Sequence, residues 1–196
     1  NGSTTFVDSS QNARTVTVAG DAQHSTAQSK FGGSSMLFDG TGDYLSIPDS
    51  DEWVFPSDFT IECWVRTSVT PTAYAHLISK GIDANIAGIQ WKLRINTTGI
   101  PAFQLSNGST LLNIAATTAV DDNAWHHIAV VRNGTRFDIY VDGTSEVNTT
   151  SSISVNNNAL ALALGSGSDG TNPYNGYIDQ VRISNVARWD ANFTPP

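Results

Sequence analysis

The chain has 196 residues, 39% of them hydrophobic and only 14% charged, enough for one sizeable domain but short for two. Ten Lys plus Arg against eighteen Asp plus Glu give a net charge of −8, so nucleic acid and anionic membrane are poor partners, while neutral ligands such as sugars, or Ca²⁺, remain compatible. A single cysteine excludes a disulfide framework, and no apolar run reaches the length that spans a bilayer.

Apolar and polar residues alternate with period 2 along almost the whole chain. The expected strands run from residues 14–19, 35–38, 44–47, 59–67, 75–80, 89–96, 100–105, 111–116, 125–133, 136–141, 146–151, 160–164 and 176–186. In the strand over 59–67, Phe59, Ile61, Cys63 and Val65 share one face, which makes Cys63 a buried small hydrophobe. Gly32-Gly33, Asp39-Gly40, Asn107-Gly108, Asn133-Gly134, Asp142-Gly143 and the glycines of 165–170 punctuate the strands. Asn133-Gly134 predicts a type I′ hairpin turn. The one helical turn is expected over Ser184–Trp189. A dozen short strands without βαβ spacing predict an all-β, antiparallel two-sheet sandwich of jelly-roll type, spanning residues 1–196 as one domain. The abrupt start at Asn1 and stop at Pro196 give the expectation of a module cut from a larger protein, and six Asn-x-Ser/Thr sequons are what so Asn-, Ser- and Thr-rich a chain carries by chance.

Enzyme signatures are weak. Glu62, Asp138 and Glu146 stand singly, without the second acid two residues away that a glycosidase strand needs. Tyr140, His126, Arg132 and Gln90 supply the residue types of a polysaccharide lyase but not a lyase spacing. His126 and His127 are neighbours on a strand and point to opposite faces, which disfavours a shared zinc and predicts one inward, hydrogen-bonded histidine.

Five segments carry a resemblance: "KFGGSSMLFDGTGDYLSIPDS", "DFTIECWVRT", "LISKG", "AWHHIAVVRNGTRFDIYVDG" and "GYIDQVRISNVARW". In this order they resemble laminin G-like domains, the concanavalin A-like lectin/glucanase jelly rolls to which pentraxins are related, with N-terminal wording most like phage and marine viral tail or structural proteins. The resemblance implies a non-catalytic recognition module of an extracellular or virion surface, binding a glycan or glycosylated surface, or neighbouring domains, with Ca²⁺ as the implied ion. Its alternatives are a purely structural module and a lyase or hydrolase. Carried onto this chain, the ligand loops are 82–88 and 165–175, supported by 68–74, with Asp83, Asn85, Asp169 and Asn172 as polar ligands and Trp91 and Tyr174 as sugar platforms. A second implied site, for a structural Ca²⁺, joins Asp39 and Asp43 to Asp179; turns alone are the competing reading. Trp53 and Trp91 are the better candidates for exposure, although a structural place is favoured even for these two, and Trp125 and Trp189 are expected in the core.

Overall fold

A computed structural model describes residues 2–196; Asn1, and with it the first sequon, lies outside the described residues. The strands in chain order are β1 (Thr17–Ala19), β2 (Gln23–Ser25), β3 (Ser35–Asp39), β4 (Tyr44–Ile47), β5 (Phe59–Arg66), β6 (Ala75–Gly81), β7 (Ile89–Ile95), β8 (Pro101–Ser106), β9 (Leu111–Ala115), β10 (His126–Asn133), β11 (Arg136–Val141), β12 (Thr144–Thr150), β13 (Leu162–Leu164) and β14 (Asn175–Ser184). They form two seven-stranded antiparallel sheets, ordered β1-β4-β13-β6-β7-β8-β9 and β12-β11-β10-β5-β14-β3-β2. The expected sandwich is present, with each period-2 run delivering one face to the space between the sheets.

That space is filled from both sides. Phe59, Ile61, Cys63 and Val65 of β5 meet Trp91, Leu93 and Ile95 of β7 and Phe103 and Leu105 of β8, all at 7% exposure or less. Burial of the Cys63 thiol, aided by the nearby Glu62 carboxylate, pushes its pKa far up, so it is an inert packing group. Trp91 is fully buried and its indole N–H donates to the Trp53 carbonyl at 2.9 Å, which removes it from any ligand surface. Trp53 is buried as well, under the Arg14 guanidinium at 4.5 Å. Both tryptophans therefore take the structural place rather than the exposed one, and the Trp53 carbonyl links them at one end of the sandwich.

Several local expectations change. β2 is a strand of three residues without alternation, so the periodicity did not show it. Residues 184–189 hold no helix, and the short 3₁₀ turns lie instead at Asp51–Val54 and Ile86–Gly88, capped by the side chains of Ser50 and Asn85. The β10–β11 ladder reaches Asn133↔Arg136, so its turn is Gly134-Thr135, and only Gly134 takes a positive φ (60°). That is the type II′ pattern, one residue beyond the expected one. Asp142 and Gly143, both at positive φ, make the type I′ turn between β11 and β12. An added Cβ at Gly143 would overlap the Phe193 carbonyl.

Around that contact the C-terminal segment lies as a strap over the outer face of the second sheet. Trp189 and Phe193 stack with centroids 3.8 Å apart over His127 and Tyr140, and half-buried Trp189 belongs to this outer cluster rather than the central core. Trp125 is only partly buried, 6.5 Å from Tyr177. No helix of the described residues is long and apolar enough to cross a membrane.

Trp91→Ala is expected to cost about 3–5 kcal/mol, the range for deleting a large core aromatic, read as a fall in the denaturant midpoint. A loss of ligand binding at unchanged stability would contradict its placement in the core.

Candidate functional site

The outer face of the first sheet carries polar side chains, yet every residue of β6, β7 and β8 is buried. Side chains opposite one another across a ladder share a face. The registers therefore set Ser79, Lys92, Gln104 and Asn113 in one row across four strands, and His76, Arg94, Ala102 and Ala115 in the next. Loop 82–88 leans over these rows. It is held by Ser106 Oγ donating to the Ile86 carbonyl at 2.9 Å and by Asn156 Nδ2 donating to the Ala87 carbonyl at 2.7 Å.

Under the loop, the Lys92 ammonium, fully buried, is paired with Asp83 Oδ1. Asp83 Oδ2 accepts from Asn172 Nδ2 at 2.8 Å and stands 3.2 Å from His76 Nε2. One carboxylate thus ties loop 82–88 to loop 165–175 and to the sheet. Burial would raise its pKa, but the hydrogen bonds and charge of His76 and Lys92 outweigh burial and hold Asp83 well below the usual carboxylate range. Burial, with Lys92 and Arg94 beside it, lowers the pKa of His76 against the opposing pull of Asp83.

What remains open is a cleft of about 500 Å³ lined by Tyr74, Asp83, Asn85, Ile86, Arg94 and Gln104, with Ile89, Leu111 and Asn113 completing its wall. The Arg94 guanidinium lies 3.6 Å from the Tyr74 ring centre and makes one long side-chain contact, Nη2 to Asn113 Oδ1 at 3.4 Å. Arg94 Nε, Gln104 Oε1 and His76 Nδ1 are buried with no hydrogen-bond partner. Buried polar atoms are nearly always satisfied. The second sheet's outer face has unpaired ones too, Trp64 Nε1, His127 Nδ1 and Tyr140 Oη, but those lie among aromatic rings, whereas Arg94 and Gln104 line an open cleft. Tyr74, 40% exposed, is also the wall of a second hollow of about 310 Å³, lined by Val69–Ala75 and Asn172–Asn175 with Gly40. Cleft and hollow meet at this one ring.

Of the residues expected as ligands, Asp83 and Asn172 are joined, and Asn85 lines the cleft while capping the Ile86–Gly88 turn through Gly88 N–H at 2.9 Å. Asp169 is a turn residue accepting from Thr171 N–H and hydroxyl. Tyr174 is 1% exposed within the core, so neither it nor Trp91 is a sugar platform. Tyr74 ends the loop expected to support the site, whereas Arg94, Gln104, His76 and Asn113 were missed. Their signal was the polar alternation of "QWKLRI" and of "PAFQLS", in which Lys92, Arg94 and Gln104 alternate with Trp91, Leu93, Phe103 and Leu105.

The implied metal group divides. Asp39 and Asp43 meet Asp21, with ligand atoms of the three within 4.8 Å of one another, and among the described residues no other such group of three is formed. Asp179 is not part of it; its carboxylate accepts from the backbone of Lys30, Phe31 and Gln180. Asp43 accepts from the backbone N–H of Asp21 at 2.7 Å and Asp39 at 3.0 Å, and Asp39 from Thr41, so these acids also serve as turn acceptors. Three carboxylates fit a hard divalent cation in kind, although Ca²⁺ takes six to eight oxygens.

The titratable groups of the second sheet do not assemble with those of the cleft. His126 bonds Asp122 and Asp142 at the edge, whereas His127, on the opposite face, bonds Glu62 at 3.0 Å beneath the strap. Burial of Glu62 is outweighed by His127 and Arg182, which keep its pKa low. Tyr140 and Gln90 lie on different sheets, so the lyase set is dispersed.

A family model described as the concanavalin A-like lectin/glucanases superfamily, of laminin G type, matches residues 39–192. The chain belongs to this superfamily. Among solved structures the laminin G-like fold is shared with the binding domain of Paraclostridial Mosquitocidal Protein 1 (TM-score 0.72, 15% identity, covering 92% of this chain and 46% of that one). It is shared also with the binding domain of botulinum neurotoxin DC in complex with rat synaptotagmin II (0.71, 14%, 93% and 46%) and with the Ruminococcus gnavus IT-sialidase CBM40 (0.59, 16%, 71% and 81%). The laminin G-like chain spans less than half of the toxin chains it matches. No curated protein sequence matches it.

Asp83→Asn is expected to lower stability at pH 6 by roughly 1 kcal/mol, because Lys92 loses its counter-ion while the amide stays a third exposed to water. Since the folded pKa of Asp83 lies below its unfolded value, its contribution is complete above about pH 4 and is lost as the pH falls further. Urea midpoints taken from pH 6 to pH 3 should converge for wild type and variant; parallel curves would rule the pairing out.

Proposed function

We propose that this laminin G-like domain is a non-catalytic module that binds an oligosaccharide in the cleft over β6–β9, on an extracellular or virion surface. The observation that carries the reading is the set of buried polar groups without partners around an open, half-aromatic cleft. Sugars present many hydroxyls and an apolar CH face, and so match unpaired donors and acceptors beside Tyr74, Ile86 and Leu111. The ring of Tyr74 divides cleft from hollow, which gives room for a second sugar residue beyond the first. Fold relatives support a binding role: they are binding domains of toxins, one solved in complex with SialylT, and a CBM40.

The charges of the cleft disfavour catalysis. Glycoside hydrolysis needs two carboxylates flanking the bond. The cleft wall carries one, Asp83, and its partners Lys92 and His76 keep it ionised, unfit as a general acid. Glu62 lies on the other sheet, held by His127, Arg182 and Arg188. The same electrostatics argue against Ca²⁺ at the ligand loops, where Lys92 and Arg94 flank the lone Asp83. We place any Ca²⁺ at Asp21, Asp39 and Asp43, as a scaffold ion.

A glycan array read in millimolar Ca²⁺ and again in EDTA tests this. Binding should persist in EDTA and weaken about tenfold or more in Tyr74→Ala, about 1.4 kcal/mol. Loss in EDTA would put an ion in the cleft. No binding under either condition would favour a module that contacts only protein, the kind of partner seen in the synaptotagmin-bound relative.

A further inference from the structure

We propose that the group seated on Arg94 is the carboxylate of an acidic sugar, an inference that rests on the cleft being a glycan site. Among the described residues three cationic side chains are buried: Lys80, Lys92 and Arg94. Lys80 pairs with Asp49 at 2.8 Å and Lys92 with Asp83. Arg94, 4% exposed, has no carboxylate partner, although the chain holds eighteen acids. A buried charge without a counter-ion is costly, and an anion supplied by a ligand removes that cost.

The surroundings fit such an anion. The planar guanidinium matches a carboxylate with two parallel N–H donors, a geometry a lone hydroxyl does not fill. Its row across the sheet continues into Ala102 and Ala115, so no acid stands beside it on the neighbouring strands. In the adjoining row the unpaired Gln104 Oε1 accepts a hydrogen bond and suits a hydroxyl of the same sugar. Asp83, the one acid lining the cleft, is already bonded to Lys92 and Asn172; its charge acts favourably on Arg94, but it makes no ion pair with the guanidinium, and burial still outweighs it. The net charge of −8 disfavours anions over the surface at large, so this local positive charge selects where an acidic sugar binds.

Matched ligands make the test. Glucuronate-bearing oligosaccharides are titrated against their carboxyl-reduced counterparts, and sialyllactose against lactose, by calorimetry with wild type, Arg94→Lys and Arg94→Gln. The acidic member of at least one pair should bind tenfold or more tightly, and which pair responds distinguishes a uronate from a sialate. Arg94→Gln should erase the preference, and Arg94→Lys, which keeps charge but not the fork, should retain part of it. Should both variants unfold, the Nε–Hε resonance of Arg94 in wild type carries the test: glucuronate should shift it and glucose should not. Equal affinity for acidic and neutral members overturns the carboxylate assignment and leaves the glycan reading standing. Binding of sulfated but not carboxylated sugars overturns it too. Failure of every sugar to bind removes the glycan reading itself, and this inference with it.

Discussion

The ion pair between Lys92 and Asp83 is the constraint from which the cleft follows. A lysine with no exposed surface must have a counter-charge, and the sheet supplies none. Loop 82–88 brings Asp83 back over β7 to provide it, and the same carboxylate takes Asn172 from the opposite loop. Two loops far apart in sequence are so fixed at one height above the sheet. The space left beneath them, beside the pair, is the cleft. Remove the charge on either partner and the loops lose the reason for their position before any ligand is considered.

How much of this the sequence disclosed depends on whether the information was one-dimensional. The β5 alternation of Phe59, Ile61, Cys63 and Val65 identified the core face directly, because a strand has only two faces and period 2 separates them. β2, at three residues, is too short for a period to register. Trp91 misled because a large aromatic beside a glycine-rich loop looks like a platform, whereas its neighbours Leu93 and Ile95 share its parity and put it inward. The loop residues Asp83 and Asn172 were legible from the motif order. Arg94 and Gln104 were not, since their polar alternation reads as an ordinary solvated face until one knows that the face is covered.

The acids of the opening loops show the same distinction in another form. Asp21, Asp39 and Asp43 converge because Asp43 accepts from the backbone N–H groups of Asp21 and Asp39, and Asp39 from that of Thr41, so turn chemistry around Gly20 and Gly40 gathers them. Asp179 does the same work further along β14, for Lys30 and Phe31. Reading Asp39, Asp43 and Asp179 as one set joined two separate turn-stabilising devices that happen to flank the same sheet edge.

The two outer faces of the sandwich are closed by opposite means, and this decides where a ligand can go. Over the second sheet the strap lays stacked Trp189 and Phe193 on His127 and Tyr140, while Arg182 and Arg188 turn inward to Glu62. Apolar contact seals that face, and its buried acids Glu62 and Asp138 are paired within the chain, Asp138 with Arg136. The first sheet is covered by polar loops held through single hydrogen bonds and one ion pair, which leave gaps that aromatic stacking would have filled. Its buried arginine is correspondingly left without an acid. Both outer faces keep buried polar atoms without partners, Trp64 Nε1, His127 Nδ1 and Tyr140 Oη on the second sheet and Arg94 Nε and Gln104 Oε1 on the first. Only the face over β6–β9 sets them, with an arginine that has no acid of its own, beside an open cleft, and that is why the proposed ligand belongs there.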